Sequence, residues 1–134
     1  MIIYEQNLIK SLFIPLDFPL ASNKLAGDLP SELTSLTSLQ NLGLSDNKLK
    51  KYYFSEEICN NTKLEKLDLS QNELAGEIPF FSSACKELIT LKLSKNFFSG
   101  MLGRDINKLT NLRKCMISKI FSMKSNIKIH SFFH

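Results

Sequence analysis

An asparagine recurs at an almost constant interval along this chain: from Asn23 through Asn47 and Asn72 to Asn96, the steps are 24, 25 and 24 residues. Apolar residues stand at the same offsets around the last three of these asparagines. These residues are Leu39, Leu42, Leu44 and Leu49; Leu64, Leu67, Leu69 and Leu74; and Leu88, Leu91, Leu93 and Phe98. A fixed period in the twenties predicts a solenoid, in which each repeat stacks on the one before it.

Each L-x-L segment predicts a short strand, because side chains alternate between the two faces of a strand. Leu42 and Leu44 then point into a shared core, while Asn41 and Gly43 point outward. Every connection covers one whole repeat in the same sense, so the strands are expected to lie parallel. The asparagine falls where the chain leaves its strand, and its amide can donate to and accept from backbone groups there. We therefore predict a buried ladder of four asparagines, Asn23, Asn47, Asn72 and Asn96.

These offsets resemble the leucine-rich repeat family, whose segment reads L-x-x-L-x-L-x-x-N-x-L. The residues after three of the asparagines are more specific: Leu25, Gly27, Leu29 and Pro30; Leu74, Gly76, Ile78 and Pro79; and Phe98, Gly100 and Leu102. They are similar to the L-x-G-x-I-P extension of the plant-type repeats of receptor-like kinases, receptor-like proteins and polygalacturonase inhibitors. The resemblance implies a right-handed α/β solenoid with a short parallel β-sheet on the concave face and an irregular or 3-10 convex side.

The period divides the chain into three parts. Residues 15–118 hold about three full repeats with partial ends, and residues 1–14 are either a partial preceding repeat or a helix. After Ile117 the pattern stops, so residues 119–134 are expected to form an irregular basic tail. The formal charge of +4 belongs to the C-terminal end, since residues 113–134 carry five basic and no acidic residues. No window of about 20 apolar residues predicts a transmembrane helix.

The cysteines and one sequon add weaker expectations. Cys59, Cys85 and Cys115 are odd in number and lack the spacing of a metal site, so buried free thiols are expected. The paired cysteines that cap the ends of plant extracellular repeat domains are absent, which favours part of a longer receptor. Asn60 begins the triplet Asn60-Asn61-Thr62, an N-glycosylation sequon.

Catalysis is not predicted for this chain. Its two histidines, His130 and His134, both lie in the tail, away from any nucleophile or base in the repeats. The kinase signatures of the receptor-like kinases are missing, and no residues suggest a metal or another cofactor. The basic tail offers too few phosphate contacts to predict nucleic-acid binding.

The outward positions of the strands remain as a candidate binding grid. The candidates are Asn41, Gly43, Lys66, Asp68, Thr90 and Lys92, with Ser45, Ser70, Ser94, Lys114, Met116 and Ser118 at equivalent places. Parallel strands hold such side chains about 4.8 Å apart on a rigid backbone, which suits recognition of a peptide or protein. For Asp68 and Lys92, an ion pair between neighbouring strands is an equally simple interpretation.

The resemblance implies a non-catalytic recognition module from the ectodomain of a plant receptor-like kinase or receptor-like protein in signalling or defence. Its partner would be a peptide, a glycan or a protein such as a co-receptor. It would lie outside the cell, although residues 1–14 lack the uninterrupted apolar run of a secretory signal. Two alternatives stay open: a secreted inhibitor of a cell-wall hydrolase, and a truncated gene product without function.

Overall fold

The computed structural model describes residues 17–28, 36–51, 59, 63–77, 85–99, 101–102, 104–117, 122–123 and 132–133. Their short strands are numbered β1 to β12 in chain order. Six of them form one parallel sheet, and in spatial order they are Asp17–Pro19 (β1), Asn41–Gly43 (β3), Lys66–Asp68 (β5), Thr90–Lys92 (β7), Lys114–Met116 (β10) and Phe132–Phe133 (β12). Consecutive L-x-L segments therefore pair side by side, and the predicted solenoid with its short parallel sheet is confirmed.

The core lies directly behind this sheet. The register joins Leu42 to Leu67, Leu67 to Leu91 and Leu91 to Cys115, so that the central residue of each strand stacks on its equivalents. All four of these side chains are at most 1% exposed. The leucines that follow β3, β5 and β7, namely Leu44, Leu69 and Leu93, are also buried. One stripe of apolar side chains thus runs through every repeat of the described residues.

A second set of short parallel pairs follows the asparagines, and the sequence did not predict it. Its members are Ala26–Asp28 (β2) with Lys48–Lys51 (β4), Ala75–Glu77 (β6) with Phe97–Ser99 (β8), and Met101–Leu102 (β9) with Ser122–Met123 (β11). Gly27 in β2 has a φ of 92°. A Cβ atom there would meet no atom within 4 Å, so backbone conformation and not space favours glycine at this position.

The described residues on the opposite side of the solenoid include turns and a 3-10 helix. The helix spans Arg104–Lys108 and buries Ile106 against the core. In three repeats the same turn precedes the strand, with an N–H donated to the carbonyl three residues earlier: Leu39 to Leu36, Leu88 to Cys85 and Leu112 to Leu109. The side away from the main sheet is thus irregular with 3-10 structure, as predicted.

The expectation of free cysteines is wrong for two of the three. Cys59 and Cys85 form a disulfide, with their Cα atoms 4.7 Å apart, whereas Cys115 is a buried free thiol. The two bonded residues are 26 positions apart, close to one repeat, so the solenoid brings them to neighbouring places on adjacent turns of the chain. The odd number of cysteines concealed this relation in the sequence.

The tail is not irregular throughout, contrary to prediction. Phe132–Phe133 pairs with β10 as the last strand of the main sheet, and Ser122–Met123 pairs with Met101–Leu102. Without β12, β10 would be the edge strand and would leave N–H and C=O groups unpaired. A short aromatic segment can pair with that edge without repeating the leucine pattern.

Three sequence expectations lie outside the described residues: the structure of residues 1–14, the sequon residue Asn60, and the outward position Ser118. Within the described part of the chain, no helix is long and apolar enough to cross a membrane.

Candidate binding surface on the concave sheet

The outward side chains of the main sheet form two rows that run across the strands. The strand register gives the first row as Asn41, Lys66, Thr90 and Lys114, and the second as Gly43, Asp68, Lys92 and Met116. Neighbours within a row stand on adjacent strands about 4.8 Å apart. The structure thus brings all six candidate residues together on three adjoining strands, β3, β5 and β7.

Exposure differs among these positions. Lys66 is exposed, and the other five candidates are half-buried, each next to a fully buried leucine at the centre of its strand. Ser70 and Ser94, expected on the same outward face, are buried instead. The Ser70 hydroxyl donates to Oδ1 of Asp68 at 2.6 Å, so it turns toward the neighbouring carboxylate. The alternation of side chains along a strand predicted the face on which Ser70 lies, but not its hydrogen bond to Asp68.

Asp68 makes an ion pair and two hydrogen bonds on this surface. Its Oδ2 lies 3.4 Å from Nζ of Lys92 on the neighbouring strand, and both side chains are about 30% exposed. Its Oδ1 accepts from the backbone N–H of Ser70 at 3.1 Å, in addition to the hydroxyl. The ion pair that the sequence offered as an alternative interpretation is therefore present. Asp68 is held in place on both of its oxygens.

Below this surface, three buried asparagines bind each repeat to the one before it. Asn72 Oδ1 accepts from the N–H of Leu49 at 3.1 Å, and its Nδ2 donates to the carbonyl of Leu44 at 2.8 Å. Both partners belong to the preceding repeat. The same amide also reaches Leu69 O and Ser70 O of its own repeat, at 3.1 and 3.3 Å. One side chain therefore satisfies backbone groups on two successive turns of the solenoid.

Asn47 and Asn96 repeat this arrangement, and Asn23 does not. Asn47 accepts from Leu25 N and donates to Leu20 O, while Asn96 accepts from Leu74 N and donates to Leu69 O. Asn23 is exposed, and its amide donates to Leu20 O and Ala21 O of its own turn. Among the described residues, three of the four predicted rungs are thus buried and join repeats.

The residue before each asparagine adopts the left-handed backbone conformation. These residues are Ser22, Asp46, Gln71 and Lys95, each with a φ of 56°. The conformation turns the chain sharply after the strand and places the asparagine amide under the backbone. None of the four is β-branched, which agrees with the strain that branched side chains suffer in this region.

Two kinds of reactive group can be checked in the described part of the chain, metal ligands and a cysteine thiol. No group of three or more histidine, cysteine, aspartate and glutamate residues in the described part could hold a metal ion. Cys115, at the centre of β10, is fully buried, and loss of solvent raises the pKa of its thiol to about 12. It stays protonated at neutral pH, so it lacks the thiolate that a nucleophile needs.

Comparisons with known proteins agree with this geometry. The family model described as Leucine Rich Repeat matches residues 63–85. Receptor-like protein 7 of Arabidopsis thaliana is 33% identical over 93 residues, which is 69% of this chain and 9% of that protein. The chain therefore spans about a tenth of the length of this curated relative.

Two solved structures show the same architecture. One is a chain of the BIR3–SERK2 complex from Arabidopsis thaliana, with a TM-score of 0.67 and 39% identity over 75% of this chain and 56% of the other. The second is from the Arabidopsis receptor kinase HAESA in complex with the peptide hormone IDA and the co-receptor SERK1. It has a TM-score of 0.65 and 27% identity over 72% of this chain and 17% of that chain.

Proposed function

The chain belongs to the plant-type leucine-rich repeat family, and from this we propose that it is a non-catalytic recognition module whose concave sheet binds a peptide or protein. The parent protein would act as a receptor in signalling or defence. A co-receptor is a second partner that this reading allows, in line with the HAESA complex named above.

The observation that carries the proposal is the rigid presentation of the outward rows. Buried leucines behind the strands and buried asparagines at their ends fix the backbone on both sides of the surface. The backbone positions of residues such as Lys66 and Thr90 are therefore fixed relative to one another before any partner arrives. Preorganised contacts cost less ordering entropy on binding than contacts on a flexible loop.

The disulfide supports a location outside the cytosol. Bonds of this kind persist in oxidising compartments and are rare where thiols are kept reduced. Cys59 and Cys85 join neighbouring turns of the solenoid, and both are buried, at 7% and 4% exposure. We place the chain on the extracellular face of the plasma membrane or in the secreted space, with Asn60 as a candidate glycosylation site.

A peptide library displayed on phage tests the proposed function. The full chain, with its disulfide intact, is used to select peptides, whose affinities are then measured by fluorescence anisotropy. Thr90→Trp fills the centre of the first row, and Thr110→Trp adds the same side chain to an exposed turn on the opposite side. We expect Thr90→Trp to abolish binding and Thr110→Trp to leave it unchanged.

Two results would count against the proposal. One is the failure of the folded chain to select any peptide. The other is selected peptides whose affinities are the same for Thr90→Trp and for the natural chain, because these peptides would bind elsewhere. Circular dichroism of both variants confirms that neither substitution unfolds the repeats.

A further inference from the structure

Two exposed lysines stand in the first row of the concave sheet, on either side of Thr90. The register pairs Lys66 with Thr90 and Thr90 with Lys114, so the two lysines are two strands apart, about 10 Å. We propose that this part of the sheet selects an acidic peptide segment and that Lys66 and Lys114 bind its carboxylates. The inference rests on the proposed function and names the chemistry of its ligand.

The charges of the surface do not balance within it. Among the outward positions of β3, β5, β7 and β10, the only acidic side chain is that of Asp68, which is already paired with Lys92 at 3.4 Å and bonded to Ser70. Lys66 and Lys114 have no ion-pair partner among the described residues. Two ammonium groups are therefore left to solvent, and a negatively charged ligand complements them.

The position of the lysines also gives the surface a direction. Within the first row the two lysines stand on β5 and β10, whereas the residue on β3, Asn41, is uncharged. The acidic part of a bound peptide is thus expected over β5, β7 and β10, and its uncharged part over β3. Thr90 between the lysines is short and carries a hydroxyl, so it leaves room for a peptide backbone and can bond to it.

A peptide fits these positions better than a nucleic acid does. Two lysines supply two phosphate contacts, whereas nucleic-acid binding at physiological salt depends on many such contacts. A peptide in a polyproline II conformation places residues three positions apart on the same side, about 9 Å from each other. Two glutamates or aspartates at that spacing match the separation of Lys66 and Lys114.

The test compares matched peptides and matched lysine variants. From the peptides selected by the full chain, those with an acidic pair three residues apart are synthesised together with versions in which both acids become glutamine or asparagine. Lys66→Gln and Lys114→Gln remove the two charges from the row. Lys63→Gln removes an exposed charge that precedes the strand and is the control.

We expect acidic residues to be enriched among the selected peptides. Each of Lys66→Gln and Lys114→Gln should weaken binding about two- to fivefold, the range for exposed ion pairs, with Lys63→Gln close to the natural chain. Neutralised peptides should lose the same factor and become insensitive to the lysine variants. Binding of the acidic peptides should also weaken as sodium chloride is raised, since salt screens exposed charges.

The outcomes separate this inference from the function on which it rests. Some selected peptides could lose binding to Thr90→Trp although they carry no acidic residues and bind Lys66→Gln and Lys114→Gln as tightly as the natural chain. Such peptides would overturn the acidic preference and leave the recognition function standing. If no peptide is selected, or if Thr90→Trp weakens the binding of none of them, both the acidic preference and the recognition function are overturned.

Discussion

At the scale of single residues, the buried asparagines are the polar side chains that join one repeat to the next. Asn47, Asn72 and Asn96 each accept one N–H and donate to a carbonyl of the preceding repeat, at distances of 2.8 to 3.1 Å. The backbone N–H and C=O groups that these amides bind lie at a turn, where the backbone itself offers them no partner. Their loss is therefore felt in two repeats at once.

Asn72→Ala should lower the free energy of unfolding by about 1 to 3 kcal/mol, because buried backbone groups of two repeats lose their partner. Asn23→Ala is the matched control. Its amide is exposed and bonds only within its own turn, so water can replace it and the loss should stay below about 1 kcal/mol. Urea unfolding followed by circular dichroism measures both, and equal losses for the two variants would contradict the account.

Cys115 gives stability a dependence on alkaline pH. The folded state raises its thiol pKa from 9.0 to about 12, so the unfolded chain loses this proton first as the pH rises. The neutral thiol is fully compatible with folding below pH 9, and stability falls between pH 9 and 12. Between pH 8 and pH 10 the natural chain should lose about 1.4 kcal/mol more than Cys115→Ala does.

Urea unfolding at the two pH values measures this difference. Cys115→Ala is expected to be less stable at pH 8 because its side chain is smaller. This does not affect the comparison, since only the change in the free energy of unfolding with pH is compared. Parallel pH profiles for the two proteins would show that the thiol ionises as easily in the folded state as in the unfolded one.

At the scale of elements, the disulfide adds a covalent link between two neighbouring repeats. Cys59 and Cys85 lie on the side of the repeats away from the main sheet. The bridge closes a segment of 26 residues that contains β5 and β6. It therefore limits the freedom of the unfolded chain around the centre of the binding surface.

Removing that bridge should lower the free energy of unfolding by about 3 to 4 kcal/mol, the entropy of closing a loop of this length. Unfolding with and without dithiothreitol measures the loss, and Cys59→Ala with Cys85→Ala is the control that should no longer respond to the reagent. Thiol titration of the denatured natural chain should find one free thiol, that of Cys115. Three thiols without reductant would show that the bridge does not form.

The strands of the main sheet could be predicted from the sequence because two periods act together. Alternation within L-x-L fixes which side chains of a strand are buried, and the repeat of 24 or 25 residues fixes which strands are neighbours. Lys66, Asp68, Thr90 and Lys92 could thus be placed on one surface before the structure was known. Their use in binding remains a prediction.

Other elements carried no periodic signal. Pairs such as β2 with β4 are joined through backbone hydrogen bonds, and their strands follow the asparagine where most side chains are exposed. The Cys59–Cys85 bridge depends on proximity in space. The separation of 26 positions indicates this proximity only when it is compared with the length of one repeat. Strand β12 pairs with β10 although no asparagine or leucine of the repeat precedes it.

At the scale of the whole molecule, the account requires the repeats to behave as one body. Each repeat contributes a strand of three residues and a few leucines, too little to be stable alone, so stability comes from the interfaces between neighbours. The described core is continuous from Leu25 to Ile117, and the six strands of the main sheet follow the same stacking. A surface that spans four strands can act as one binding site only if the repeats remain packed against one another.

Thermal unfolding observed with two probes tests this claim most directly. Far-UV circular dichroism reports the backbone of all repeats, and labelling of Cys115 by a thiol reagent reports the opening of the core under β10. We predict one transition at the same temperature by both probes, with Cys115 protected until it begins. Rapid labelling of Cys115 while the circular dichroism remains that of the folded chain would contradict a single rigid solenoid.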